Sequence, residues 1–364
     1  MKKLPLCFLP VFLLLSVCTW AADLKKPART PTELTAEQKA LLHEGIALHD
    51  QGDYDGAIRK YESILESNPD GISAIYELSF SYFAKKDYRK SLEFTEKGTG
   101  YISDILPRFY MQMASCLDHL GESEKAIDIY KETLEKYPRE PLLHFNLALT
   151  YSQNKKPDLA ISHLKEELYI SPEHPTSHLL LGLTFQESGY QIPAIFALSR
   201  FLILEPMSSR ASQVLLRLRQ LINVGVVVKD EKTININVDP DAKKDEGDFA
   251  SLQMALSLVS AGRFLEENKN KSPVEKEVEQ FRSFFKIMME MIGEDKNKLK
   301  FTGNYYVPYF IELQKQGYVD AFVYLIHASS SEQEIKDWLE QNMDKVLTFM
   351  KWSEQYQWPG KNDD

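Results

Sequence analysis

The chain has 364 residues, 43% hydrophobic and 26% charged, with 18 Tyr and 19 Phe, which excludes a disordered polymer and fits two domains. Its 43 basic and 53 acidic side chains leave a formal charge of −10. A surface of that sign repels phosphate backbones and anionic lipid, which argues against a nucleic-acid partner.

The N-terminus has the order of an export leader. Lys2 and Lys3 precede an apolar run from Leu4 to Val17, and small residues follow at Thr19 and Ala21. That order places cleavage before Ala22, with residues 1–21 as the signal peptide. Losing Lys2 and Lys3 and no acid takes the mature chain from −10 to −12. The run is short for a membrane-spanning helix, and no later segment is apolar enough to span. The expected location is therefore periplasmic or secreted, with no transmembrane segment after cleavage. The alternative is a lipid anchor at Cys18, led by Leu15, Ser16 and Val17, although a branched valine fits that signal poorly. Cys7 and Cys18 depart with the leader, so Cys116 is left without an intramolecular partner and reads as a small buried hydrophobe.

Residues 22–37 read as an N-terminal linker. After it a 34-residue period sets the organisation. Small residues recur at Gly45, Ser79, Ala114, Ala148 and Gly182, in steps of 34, 35, 34 and 34. A second small set follows each by twelve: Ala57, Ser91, Ala126, Ala160 and Ala194. Bulky groups sit three after the first set, at Leu48, Tyr82, Leu117, Tyr151 and Phe185. Two antiparallel helices approach closely only where both present small side chains, which explains the paired sets. Pro69, Pro138, Pro172 and Pro206 close units, while Pro107, Pro141 and Pro175 open first helices. Gly52-Asp53-Tyr54, Lys86-Asp87-Tyr88 and Gly121-Glu122-Ser123 mark the turns inside units. Gly98 and Thr99 are expected to loosen the second helix of the second unit.

This pattern resembles the tetratricopeptide-repeat (TPR) superfamily in five units, from Gln38 to about Ser208. The resemblance implies an all-α fold, a right-handed helical solenoid. Val214 to Leu221 looks like its capping helix, so the solenoid is expected over residues 38–222. It also implies a concave groove that holds a protein or peptide, lined by the first helix of each unit. The groove positions are Leu42, Ile46, Tyr76, Phe80, Phe83, Met111, Phe145, Leu149, Leu179 and Leu183. Leu42 and Ile46 stand where a lysine–asparagine clamp for a terminal carboxylate would begin, so the groove reads as apolar and suited to an amphipathic helix. Either a partner or the chain's own C-terminal part is expected to cover it.

Residues 223–247 read as a short β-hairpin and an acidic linker. Val226 to Val228 and Ile234 to Val238 are its arms, joined through Lys229 to Lys232. Asp239, Asp241, Asp245 and Asp248 lack the order of a calcium loop and read as solvated. Residues 248–358 form a helical domain without the repeat. Ser272-Pro273-Val274-Glu275 is a capping box, and Ser331 with Glu334 repeats the device before Ile335 and Trp338. This domain resembles an uncharacterised helical domain of Gram-negative envelope proteins, and residues 359–364 read as a disordered tail.

No nucleophile elbow, P-loop, dinucleotide fingerprint or HExxH is present. His174 and His178 are four apart, but His174 precedes Pro175 outside the helix, so both read as structural. Tyr305, Tyr306 and Tyr309 read as core and rim packing. No catalytic residue, metal or cofactor is assigned, and the chain is read as a scaffold rather than an enzyme. The alternative is an envelope enzyme or small-ligand binder with its site in the C-terminal helical domain.

Overall fold

The computed structural model describes residue 24 and residues 26–230, 233–236, 245–292 and 300–360. The expected leader with Cys18, Glu231 and Lys232 of the expected hairpin connection, Val238 of its second arm, Asp239, Asp241 and the last four residues lie outside them. The fold is all-α, with seventeen α-helices and one two-stranded sheet among the described residues. None of these helices is long and apolar enough to cross a membrane. Two compact units are formed, one ending at Glu132 and one beginning at Thr133.

The first unit holds helical hairpins α1–α2 (Ala36–Asp50, Tyr54–Ser67) and α3–α4 (Ile72–Ala84, Tyr88–Gly98). It continues with α5 (Leu106–His119) and α6 (Ser123–Lys136), through which the division passes. A capping box starts α1. Thr35 Oγ1 accepts from the Gln38 amide at 3.2 Å, and Gln38 Oε1 accepts from the Thr35 amide at 3.0 Å. The turn inside each hairpin needs one left-handed residue: Gly52 (φ 83°), Lys86 (φ 64°) and Gly121 (φ 86°) supply it here. The small positions lie at the crossings. Ala57, Ala114 and Ala126 have no exposed surface, and a Cβ on Gly45 would fall 2.8 Å from Tyr61 Cζ. In the second hairpin the two small residues bond directly, Ser91 Oγ donating to the Ser79 carbonyl at 2.8 Å. Cys116 Sγ donates to Ser91 Oγ at 3.1 Å, and burial pushes its thiol pKa up to about 11.

Two expectations for this unit need correcting. At Gly98 and Thr99 the helix is not slack but stops: α4 has 11 residues against 14 in α2 and α6, Gly98 is its last residue, and the ring of Phe109 from α5 packs directly onto it. The stretch after the leader is not a free linker. Ala28 and Arg29 amides donate to the Gly100 carbonyl at 3.0 Å, the Thr32 amide to Asp70 at 3.1 Å, and the Ile102 amide to Arg29 at 2.8 Å. Leu24 is buried, and its amide donates to the Glu132 carboxylate at 3.1 and 3.2 Å.

The second unit opens with α7 (Pro141–Gln153), α8 (Pro157–Ile170), α9 (Pro175–Glu187), α10 (Gln191–Leu204) and α11 (Ala211–Ile222). Proline takes the first position of α7, α8 and α9, where its missing amide hydrogen costs nothing. The hairpin strands β1 (Val226–Asp230) and β2 (Thr233–Ile236) pair antiparallel, Val226 opposite Ile236. They lean on α12 (Ala250–Ala261). Helices α13 (Pro273–Ile292), α14 (Lys300–Lys315), α15 (Val319–Ile326), α16 (Gln333–Gln341) and α17 (Met343–Glu354) complete the unit.

Helix α10 is apolar apart from Gln191, Ser199 and Arg200 and is buried from Ile192 to Ile203, as so apolar a sequence requires. It packs on α9 and also on α12, α14 and α15; the Phe196 ring meets Phe310 at 4.9 Å and Phe284 at 6.4 Å. The last repeats and the helices beyond the hairpin therefore share one core. The capping box at α13 forms, with Glu275 accepting from the Ser272 amide at 2.8 Å and Ser272 Oγ accepting from the Glu275 amide at 3.2 Å. The second expected box does not. Glu332 is the N-cap of α16, and Glu334 accepts from Ser272 Oγ at 2.5 Å instead.

Candidate functional site

In the first unit, the small residues of α1, α3 and α5 face the second helices of their hairpins. Positions on the other side of the same helices then project away from that packing. The expected groove residues there are Leu42, Ile46, Tyr76, Phe80, Phe83 and Met111. The structure splits them. Met111 is buried, and Leu42 packs against the cluster of Ala57, Ile58, Tyr61, Leu78 and Tyr82, so both serve the core. Ile46 is half-buried.

Tyr76, Phe80 and Phe83 belong to an aromatic strip. Phe80, 40% exposed, is stacked between His49 (centroids 5.0 Å, planes 18° apart) and Tyr76 (6.3 Å, 7°). Tyr76 is braced edge-on by Phe109 at 5.4 Å. Phe83 meets Tyr88 at 5.2 Å and His119 at 5.2 Å, and those two rings stack at 4.4 Å. His49, Tyr88 and His119 were not among the expected site residues. The repeat itself carried part of the signal, because the pair His49–Tyr54 recurs 34 residues later as Phe83–Tyr88. Both pairs have the same edge-on geometry, at 5.1 Å and 64° and at 5.2 Å and 68°.

The charges around the strip are muted. Burial lowers the pKa of His49, against a smaller opposing pull from Asp50, and its Nδ1 lies 2.8 Å from Ser81 Oγ. Burial, then Asp50, raises the pKa of Glu77, while Arg108 opposes the shift. The strip is therefore an apolar surface of stacked rings with fixed orientations.

In the second unit the expected positions are Phe145, Leu149, Leu179 and Leu183, all half-buried. Phe145 meets the His174 ring edge-on at 5.1 Å. His174 is the N-cap of α9, outside the helix, and its Nδ1 lies 2.7 Å from Ser177 Oγ and 3.1 Å from the buried Glu167 carboxylate. His178 is fully buried, with Nε2 at 2.8 Å from the Pro172 carbonyl. That contact makes Nε2 the donor, so Nδ1 accepts from Tyr306 Oη at 2.7 Å. Burial, helped by the Arg200 charge, pushes the His178 pKa down to about 3.

Tyr305, Tyr306 and Tyr309 are core residues without exposed surface. Tyr309 lies against the buried Arg200 guanidinium, which donates to its hydroxyl at 3.3 Å. Arg200 donates to both Glu173 carboxylate oxygens at 2.6 and 2.7 Å and to Ser353 Oγ at 2.6 Å. It also lies 5.2 Å from the centroid of Tyr309 and 5.0 Å from that of Trp358. Trp358 in turn stacks on Tyr305 at 4.7 Å and on Tyr309 at 5.0 Å. These contacts tie the C-terminal stretch to the last repeat. Among the described residues no three His, Cys, Asp or Glu side chains converge as a metal site would require.

The geometry defines a helical-hairpin repeat protein with an exposed aromatic strip. Family models described as tetratricopeptide repeat match residues 39–71 and 117–175. A TPR repeat-containing protein of Methanocaldococcus jannaschii is 26% identical over 110 residues, 30% of this chain and 19% of that protein. The chain thus spans about a fifth of the length of that curated relative. Among solved structures, a thermophilic TPR protein of Thermus thermophilus superposes with a TM-score of 0.45 at 21% identity, covering 51% of this chain and 98% of its own. For pilF of Pseudomonas aeruginosa the values are 0.44, 19%, 50% and 83%. The hairpins within residues 39–71 and 117–175 thus match tetratricopeptide repeats.

Proposed function

We propose that this chain is an exported scaffold that captures a protein or peptide on the aromatic strip of its first unit. The observation that carries the reading is Phe80, 40% exposed yet held in a stack between His49 and Tyr76. A large apolar ring exposed and rigid at once loses little side-chain entropy when a partner covers it, and such rings dominate interface energies. The apolar face of an amphipathic helix fits a strip of this kind. Export rests on the order of the leader, from Lys2 and Lys3 through the apolar run to Ala21.

The test is affinity purification of the mature chain from cell envelopes, comparing wild type with Phe80→Glu and with Leu216→Glu, an exposed position on α11. Phe80→Glu is expected to lose the captured protein with unchanged helical content, and Leu216→Glu to keep it. An unchanged set of captured proteins with Phe80→Glu sinks the strip as the binding surface. Intact mass addresses export separately: a chain beginning near Ala22 supports it, and an uncleaved cytosolic chain or an acylated Cys18 contradicts soluble export.

A further inference from the structure

In the second unit, the α14–α15 turn faces helices α16 and α17 across a cleft of 420 Å³. Its lining includes Gln316, Tyr318, Asp320, Trp338, Asp344 and Lys345. The volume lies in the range of small-ligand sites and is too small for a folded partner.

The aromatic walls are held from behind. Trp338 stacks on Tyr324 at 4.0 Å with planes 6° apart. Tyr318 packs on Phe349 at 5.7 Å and on Trp352 at 5.4 Å. Their ring bodies are thus fixed by neighbours, whereas the Trp338 indole N–H and the Tyr318 hydroxyl find no hydrogen-bond partner among the described residues. A ring with a packed body and an unused polar tip is the usual form of a ligand-facing aromatic.

The charges then narrow the ligand class. Asp320 is paired with Arg282 at 2.6 Å, a guanidinium it shares with Glu279 outside the cleft lining. The Asp344 carboxylate has no ion-pair partner among the described residues, and Lys345 beside it bonds only the Asn342 side chain, at 2.8 Å. With Asp320 engaged by Arg282, the carboxylate and the ammonium outside any ion pair, Asp344 and Lys345, balance each other. A quaternary ammonium ligand would want a cage of rings and an excess of acid, and here Lys345 opposes it. An anion would meet Asp344. A neutral ligand that presents C–H faces to rings and hydroxyls to an acceptor, an amide and two donors matches every group present.

We propose that this cleft binds a saccharide unit, its ring face against Trp338 and Tyr318 and its hydroxyls bonded to Asp344, Gln316 and the indole N–H. This binding would be separate from protein capture on the first unit and independent of it.

The experiment is calorimetric titration of the full chain with glucose, maltose, N-acetylglucosamine and diacetylchitobiose, with choline chloride as the cationic probe. Tryptophan fluorescence is followed in parallel. At least one saccharide is expected to bind with a Kd on the order of 1 mM or tighter and to change the fluorescence. Trp338→Ala should weaken that binding about tenfold or more, and Asp344→Asn by about threefold or more. Asp344 is exposed, so its variant keeps the test valid if Trp338→Ala fails to fold. No binding by any of the four saccharides overturns the proposal. So does binding that Asp344→Asn leaves unchanged, or a preference for choline.

Discussion

Gly98→Ala tests the account of the repeat array at a position where residue-level expectation and structure part company. If Gly98 merely loosened α4, alanine would stabilise the helix by up to about 1 kcal/mol. In the structure a Cβ at Gly98 falls 2.5 Å from Phe109 Cζ, and closer still to two further ring atoms. Phe109 has no exposed surface, and it packs in the cluster of Ile75 and Tyr101 with Tyr76 braced against it. Restoring ordinary contact distance means moving a buried ring by roughly 1 Å, and overpacking of that kind costs about 1–3 kcal/mol. The expected net effect is a loss of about 1–2 kcal/mol after the helix gain. Urea denaturation followed by circular dichroism reads it, with Gly262→Ala, where nothing lies within 4 Å, as the control that should not lose stability. A Gly98→Ala midpoint at or above wild type would refute the packing described for α4 and α5.

Other outcomes follow from the second unit and from the turns. His178 stays neutral in the fold with a pKa near 3 against an ordinary 6.5, so only the unfolded chain takes up its proton between those values. Stability therefore falls as pH drops below 6.5, by roughly 2 kcal/mol at about pH 5 from this residue; His178→Gln should flatten that limb of a stability–pH curve. Lys86 holds a left-handed φ of 64° where the turns at Gly52, Gly121 and Gly189 use glycine, so Lys86→Gly should raise stability by about 0.5 kcal/mol, read as a shift in urea midpoint. Glu173→Ala strands the buried Arg200 charge and should cost about 3 kcal/mol, whereas Arg200→Met should cost less, because Glu173 is 45% exposed and regains water. Equal losses in thermal melts would contradict that asymmetry.

The repeat was legible because its cause is local and recurs. Gly45, Ala57, Ala126 and their equivalents lie at crossings, and each crossing writes the same small pair into the chain. The second hairpin strand was legible from alternation and the first from its run of valines, and the α13 start from Ser272 and Glu275. Helix α14 was obscured by Pro308, which lies inside it although proline normally ends a helix. The Ser331–Glu334 spacing misled because Glu334 is engaged by Ser272, 62 residues away. Nothing local connects Tyr306 to His178 across 128 residues, or Ser353 to Arg200 across 153. The shared core of the last repeats and the C-terminal helices was therefore beyond sequence pattern. At the candidate site, Tyr76, Phe80 and Phe83 were expected from the groove that the family resemblance implies, and the same resemblance could not tell Met111 and Leu42 from core.

The central claim, that the aromatic strip is where a protein partner sits, is tested most directly by photo-crosslinking in living cells. A benzophenone amino acid replaces Phe80 in one strain and Leu216 in another, and the covalent adducts are resolved by mass. The account predicts a discrete protein adduct from position 80, absent at position 216 and lost when Tyr76→Glu is added. A discrete adduct at 216 with none at 80, or one at 80 that survives Tyr76→Glu in a folded chain, would contradict it.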